Sequence, residues 1–139
     1  MSLATAAPTL RDGAAAMGVA LSDTQAEQLL AYGALILKWN KVYNLTALRD
    51  PASVLTHHLL DSLAVVAPLQ REVAQRSWAK VRLLDVGSGA GLPGVVIAIL
   101  CPTIEVTCLD AVAKKVAFVQ QCAAELKLPN LRGLHTRIE

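Results

Sequence analysis

The sequence predicts an α/β protein built on a parallel sheet, and three observations carry that reading. Val81-Arg82-Leu83-Leu84-Asp85-Val86 is a strand-like run that ends in Gly87-Ser88-Gly89-Ala90-Gly91, with glycines at alternate positions. Leu92-Pro93-Gly94-Val95-Val96-Ile97-Ala98-Ile99-Leu100 follows at once and is apolar all round, which suits a buried helix. Ile104-Glu105-Val106-Thr107-Cys108-Leu109-Asp110 then alternates with the period of two of a strand. A helix over Ala113 to Leu126 and a third strand over Leu131-Arg132-Gly133-Leu134-His135, after a turn at Pro129-Asn130, complete the pattern. Strands alternating with helices imply a parallel sheet joined by right-handed crossovers.

Ahead of the first strand the pattern is helical. Ser22-Asp23-Thr24-Gln25 has the hydroxyl and the glutamine of a capping box, and a helix is expected from there to about Asn40. Leu29, Gly33, Ile36, Asn40 and Tyr43 recur at helical spacing on one face, widened by Leu30, Leu37 and Leu45. A second helix should open at Asp50-Pro51, bury Leu55, Leu59, Leu63 and Val66, and stop at Pro68. Residues 69–80 are polar and of mixed charge, as in a connector or a short helix, and residues 1–20 carry little pattern. The organisation expected is a helical extension over 1–80 and the first half of a sheet domain over 81–139.

Composition excludes several classes. At 139 residues and 54% hydrophobic content the chain can bury a core and is not of disordered type. A formal charge of +2 is too even to indicate a nucleic-acid partner by itself. Cys101, Cys108 and Cys122 are odd in number and form no C-x-x-C pair, so neither a disulfide framework nor a metal site is indicated, and reduced thiols are expected. No apolar run reaches the ~18 residues of a membrane span. The alanine-rich start lacks the basic head of a signal peptide. A cytoplasmic location and no membrane partner are therefore expected.

Chemistry concentrates at the glycine loop. Glycine takes positive φ without a Cβ penalty and lets a ligand approach the backbone, and the following helix points its free N–H groups at the loop. Gly89-Ala90-Gly91-Leu92-Pro93-Gly94 formally fits the dinucleotide pattern G-x-G-x-x-G, a weak signal alone. Asp110 closes the second strand about 20 residues further on, where an acid would meet a ribose. Asp85, two residues before Gly87, separates the two candidate ligands. A carboxylate there repels a pyrophosphate and attracts the ammonium group of S-adenosylmethionine.

At these residues the chain resembles the class I S-adenosylmethionine-dependent methyltransferases, whose first motif reads Asp-x-Gly-x-Gly-x-Gly, as Asp85 to Gly91 does. Lys38-Trp39-Asn40-Lys41-Val42-Tyr43-Asn44-Leu45-Thr46, His58-Leu59-Leu60-Asp61-Ser62 and Gly91-Leu92-Pro93-Gly94, in that order, narrow the resemblance. They are similar to the bacterial family of 16S ribosomal RNA guanine-N7 methyltransferases, the glucose-inhibited division protein B (GidB, RsmG) family. The match runs from about Leu21 onward. It implies a Rossmann-like sheet, S-adenosyl-L-methionine as cofactor, and 16S ribosomal RNA or the small ribosomal subunit as partner.

The resemblance further implies that Gly87, Ser88, Gly89, Gly91 and Leu92 line the methionine end of the cofactor, with Asp85 at its ammonium. Asp110 would accept from the ribose hydroxyls, and Ala111, Ile138 and Glu139 would surround the adenine. Replacing Asp110 is expected to weaken cofactor binding with little change in stability. Guanine N7 has a free lone pair at neutral pH and needs no general base, and no catalytic residue is assigned. The family's sheet has seven strands, whereas the sequence stops after the third. The expectation is a fragment lacking the C-terminal part, with its first strand at an open edge. Such a fragment would self-associate, and the full-length protein would be a monomer.

Other residues have competing readings. Trp39 and Tyr43, interleaved with Lys38 and Lys41, suit base stacking but suit helix packing better. His58 and Asp61, at i and i+3, share a helix face that His57 does not, and a polar contact with the cofactor loop is favoured over catalysis. Lys114 and Lys115 read as a solvated face. Two alternatives from other classes remain: a fragment of a nicotinamide-dinucleotide oxidoreductase, and a non-enzymatic RNA-binding module.

Overall fold

The computed structural model describes residues 6–43 and 51–137, without the side chains of residues 43 and 51–55. Asn44, Leu45 and Thr46, the Asp50 cap, and Ile138 and Glu139 lie outside the described residues, as do the side chains of Tyr43 and Leu55. The elements in order are α1 (Ala7–Ala16), α2 (Asp23–Tyr43), α3 (Pro51–Arg76), β1 (Val81–Val86), α4 (Gly94–Leu100), β2 (Ile104–Asp110), α5 (Ala113–Glu125) and β3 (Leu131–His135).

The sheet is parallel throughout, in the order β1-β2-β3. Val81 pairs with Ile104 and Val86 with Leu109, while Val106 pairs with Leu131 and Asp110 with His135. Successive side chains alternate between faces. Val81, Leu83 and Asp85 therefore share a face with Val106, Cys108 and Asp110. This face is covered by α4, all of whose residues are buried, and by α5 through Val116, Phe118, Val119 and Cys122. The other face carries Arg82, Glu105 and Arg132 at one end and exposed Leu84, Val86 and Leu134 at the other. Among the described residues nothing pairs with the outer edge of β1, as the expected open edge requires.

The helical segment is continuous with this core. Leu10 and Ala14 of α1, Leu29, Tyr32 and Ile36 of α2, and Leu59, Leu63 and Val66 of α3 join Val95, Ile99, Phe118 and Val119 in one buried cluster. The capping box is present at α2. The Ser22 hydroxyl accepts from the Gln25 N–H at 3.1 Å, and the Gln25 side chain accepts from the Ser22 N–H at 3.0 Å. Such a cap contributes about 1 kcal/mol.

One helix is not anticipated individually, and two expectations are corrected. Residues 7–16 are helical, with Pro8 in the first turn and Leu10 and Ala14 buried. The helix ends where Gly18 turns to φ 78° and the Val19 N–H reaches back to the Ala14 carbonyl. α2 runs on past Asn40 to Tyr43. Pro68 does not stop α3, and residues 69–76 continue it rather than forming a connector or a separate short helix. An internal proline costs about 3 kcal/mol. Here its ring faces solvent, and Leu63, Val66 and Ala67 before it and Leu69 and Val73 after it pack on the core and offset that cost. The helix ends at Ser77, whose φ of 52° lets the Trp78 N–H return to Val73.

Candidate functional site

The loop between β1 and α4 is shaped by its own glycines. Gly87, Gly89 and Gly91 have φ of 71°, 58° and 91°. A Cβ at Gly87 or Gly89 would meet nothing within 4 Å, so this backbone fronts open space rather than packing. At Gly91 and Gly94 the reason is crowding. A Cβ at Gly91 would lie 2.5 Å from Val95, and one at Gly94 would lie 2.6 Å from the Cys108 sulfur and 2.8 Å from Asp85 Oδ2.

Two carboxylates hold this backbone. The Gly87 N–H donates to the Leu109 carbonyl at 2.7 Å and so joins the ends of β1 and β2. Asp110, 8% exposed at the end of β2, accepts from the Gly89 N–H at 3.0 Å on Oδ2 and from the Val112 N–H at 2.9 Å on Oδ1. The second bond is an Asx turn leading into α5. Each oxygen keeps a free lone-pair position. With two backbone donors satisfied, one of them at the start of α5, Asp110 serves as a tether as well as a candidate ligand residue, and its loss is expected to cost more stability than the small change the sequence suggests.

Asp85 accepts from the Gly94 N–H at 2.9 Å, at the start of α4. Burial lifts its carboxyl above the usual range, and the Gly94 N–H opposes that shift in part. Among the described residues no cation pairs with it. The Ser88 hydroxyl is buried, faces the Cys108 thiol, and makes no hydrogen bond of ordinary geometry. Burial, followed by the charge of Asp85, pushes the Cys108 thiol up to about 12. Burial does the same to Cys122, so both thiols are protonated at neutral pH and are not nucleophiles.

The structure therefore brings Asp85, Gly87, Ser88, Gly89, Gly91 and Asp110 together at the C-terminal ends of β1 and β2. Leu92 and Pro93 continue the rim, where a cavity of about 230 Å³ is lined also by His58, Asp61, Ser62 and Val65 of α3. Ala111 is exposed beside Asp110, and its carbonyl lies 3.0 Å from His135 Nε2. A larger cleft, of about 400 Å³, opens over Arg82, Glu105 and Arg132 at the opposite end of the strands and shares no residue with the loop. Trp39 packs edge-on against Phe118, with ring centroids 5.4 Å apart, so helix packing accounts for it.

Sequence reasoning missed Tyr32. It is fully buried on α2, and its hydroxyl donates to the Ala90 carbonyl at 2.6 Å, inside the glycine loop. An unexpected polar residue in an apolar helix stripe was the available signal.

A parallel sheet, a glycine loop after its first strand and an acid closing its second define a Rossmann-like α/β protein of the class I methyltransferase type. The chain belongs to the ribosomal RNA small subunit methyltransferase G family, whose model matches residues 25–139. It is 62% identical over 135 residues to a ribosomal RNA small subunit methyltransferase G of Acidovorax sp. (strain JS42), covering 94% of this chain and 60% of that protein. Proteins of the same name from Paracidovorax citrulli and Albidiferax ferrireducens are 59% identical over 138 residues and 62% over 137. In both, 94% of this chain is covered, against 57% and 61% of the relative. The chain thus spans about 60% of the length of these relatives.

Proposed function

We propose that the chain carries the cofactor half-site of an S-adenosylmethionine-dependent methyltransferase acting on guanine N7 of 16S ribosomal RNA. The observation that carries the reading is the pair of carboxylates around an open, positive-φ glycine loop. Asp85 is a half-buried acid with one N–H donor and no cation beside it among the described residues, which suits an incoming ammonium. Asp110 has lone pairs left over for ribose hydroxyls, and the Ser88 hydroxyl has hydrogen-bonding capacity to spare. Gly87 and Gly89 leave room for the methionine end against bare backbone. Ala111 and Val112, both exposed, offer an apolar floor for adenine beside Asp110.

When bound, S-adenosylmethionine supplies an electrophilic methyl group on a sulfonium. The chain's own contribution is placement. Asp85 and Asp110 fix the two ends of the ligand by charge and hydrogen bonding, and they also tether the loop through the Gly94 and Gly89 N–H groups. Orientation of a reacting pair is worth up to about 7–11 kcal/mol. Guanine N7 presents its lone pair unprotonated at neutral pH, so no described side chain has to act as a base. The relatives are named for small-subunit ribosomal RNA methylation, which supports an RNA acceptor of that subunit, while guanine N7 rests on the family resemblance alone.

Isothermal calorimetry of the 139-residue chain against S-adenosylmethionine, with NAD as the competitor class, tests the reading. One-to-one binding of the first and none of the second is expected. Tighter binding of NAD would overturn it, because Asp85 should repel a pyrophosphate.

A further inference from the structure

We infer that Tyr32 is a positioning residue for the cofactor loop: through its hydroxyl on the Ala90 carbonyl, the N-terminal helical segment sets the loop's ligand-binding shape. The inference rests on the cofactor reading above and adds to it a residue far from the motif.

The geometry is specific. Ala90 lies between Gly89 and Gly91, the two residues whose positive φ makes the loop's turn. Its carbonyl is the acceptor of the 2.6 Å bond from Tyr32, across 58 residues of sequence. The Tyr32 oxygen also stands 3.4 Å from where a Gly91 Cβ would be, so it fills the space behind the loop as well as bonding to it. Tyr32 is fixed in turn. It has no exposed surface, and its ring stands 6.4 Å from that of Phe118 on α5. Farther along α2, Trp39 packs on the same Phe118, and near its start Gln28 donates to the Leu126 carbonyl at 3.1 Å. α2 is therefore pinned to α5 at several points, which makes it a rigid support for the hydroxyl.

The loop's tethers come from three elements. Asp110 of β2 holds the Gly89 N–H, Asp85 of β1 holds the Gly94 N–H, and Tyr32 of α2 holds the Ala90 carbonyl. Burial, with Cys122, Cys108 and Asp85 nearby, raises the Tyr32 pKa well above its ordinary value, so the hydroxyl is a proton donor at any physiological pH. A buried carbonyl that loses the only donor it has among the described residues seeks another partner. Ala90 can find one only if the loop turns toward solvent and leaves the shape in which Gly87 and Gly89 face open space.

The test is Tyr32→Phe in the 139-residue chain, which removes one oxygen and keeps the ring. A loop that holds its binding shape about one tenth of the time binds about tenfold more weakly. The expected result is a loss of S-adenosylmethionine affinity of about that size, together with faster amide exchange at residues 87–92 in the ligand-free protein and unchanged exchange in β2. Leu10→Ala, buried in α1 away from the loop, is the control for stability alone. It should lower the melting temperature while leaving affinity and loop exchange as in the parent, both read at a temperature where every variant is folded. If Tyr32→Phe binds as the parent does, or if Leu10→Ala loses affinity equally, the inference is overturned. A parent chain that binds no S-adenosylmethionine would instead refute the cofactor reading, and this inference with it.

Discussion

Asp110→Ala should lower both stability and cofactor affinity, and the two losses can be separated. In the protein the carboxylate is 8% exposed and accepts two backbone N–H groups, at 3.0 Å from Gly89 and 2.9 Å from Val112. Hydrogen bonds to a charged group contribute about 1.5–3 kcal/mol each. Water can reach part of the vacated space, so a combined loss of about 2–3 kcal/mol is expected. With an unfolding entropy of about 2.1 cal/mol/K per residue, that corresponds to a fall of ~7–10 °C in melting temperature for a chain of this length. Asp110→Asn keeps one acceptor oxygen and should lose about half as much. Thermal unfolding followed by circular dichroism gives the first quantity. Calorimetry well below both transitions gives the second, an affinity loss of about 1–3 kcal/mol from the missing acceptor for the ribose. An Asp110→Ala melting temperature within about 2 °C of the parent would refute the tethering role. An unchanged dissociation constant would remove Asp110 from the site.

Three further outcomes are expected. Gly89→Val should abolish cofactor binding while keeping helical content, since φ is 58° there and the side chain would enter the open space in front of Gly89 that the proposed cofactor would occupy; parent-like binding would show the loop is not the site. Asp85 has a folded pKa raised by burial above its unfolded value, so its stabilising contribution is complete below the unfolded carboxylate range and is lost as pH rises through the folded pKa. Asp85→Asn should therefore melt higher than the parent at pH 7, with the gap closing in acid, while cofactor affinity falls about tenfold; a variant less stable at pH 7 would contradict the burial argument. The unpaired edge of β1, beside exposed Leu84 and Val86, should make the 139-residue chain dimeric or larger in sedimentation, and a stable monomer at high concentration would show that the edge is protected.

The sheet was legible because its signals are strong and local. β1 and β3 begin and end at the residues expected, and the burial of β1 alternates along its whole length. The apolar run of α4 was equally plain, since every residue of that helix is buried. α1 was missed because alanine and glycine give little contrast between faces, and only Leu10 and Ala14 within it are buried. Pro68 misled because its cost is local, whereas what offsets it is the packing of residues on either side against distant elements. At the site, Asp85, the glycines and Asp110 announced themselves by spacing. Tyr32 did not, because its partner is a backbone carbonyl 58 residues away and no local pattern records such a contact.

The most direct test of the cofactor reading is a titration of the isotope-labelled chain with S-adenosylhomocysteine, followed by amide NMR. Saturable shifts confined to Gly87–Leu92 and Asp110–Val112, with the Gly89 amide among the largest, are the predicted result. Shifts centred instead on the cleft of Arg82, Glu105 and Arg132, or no saturable shifts at millimolar ligand, would contradict it.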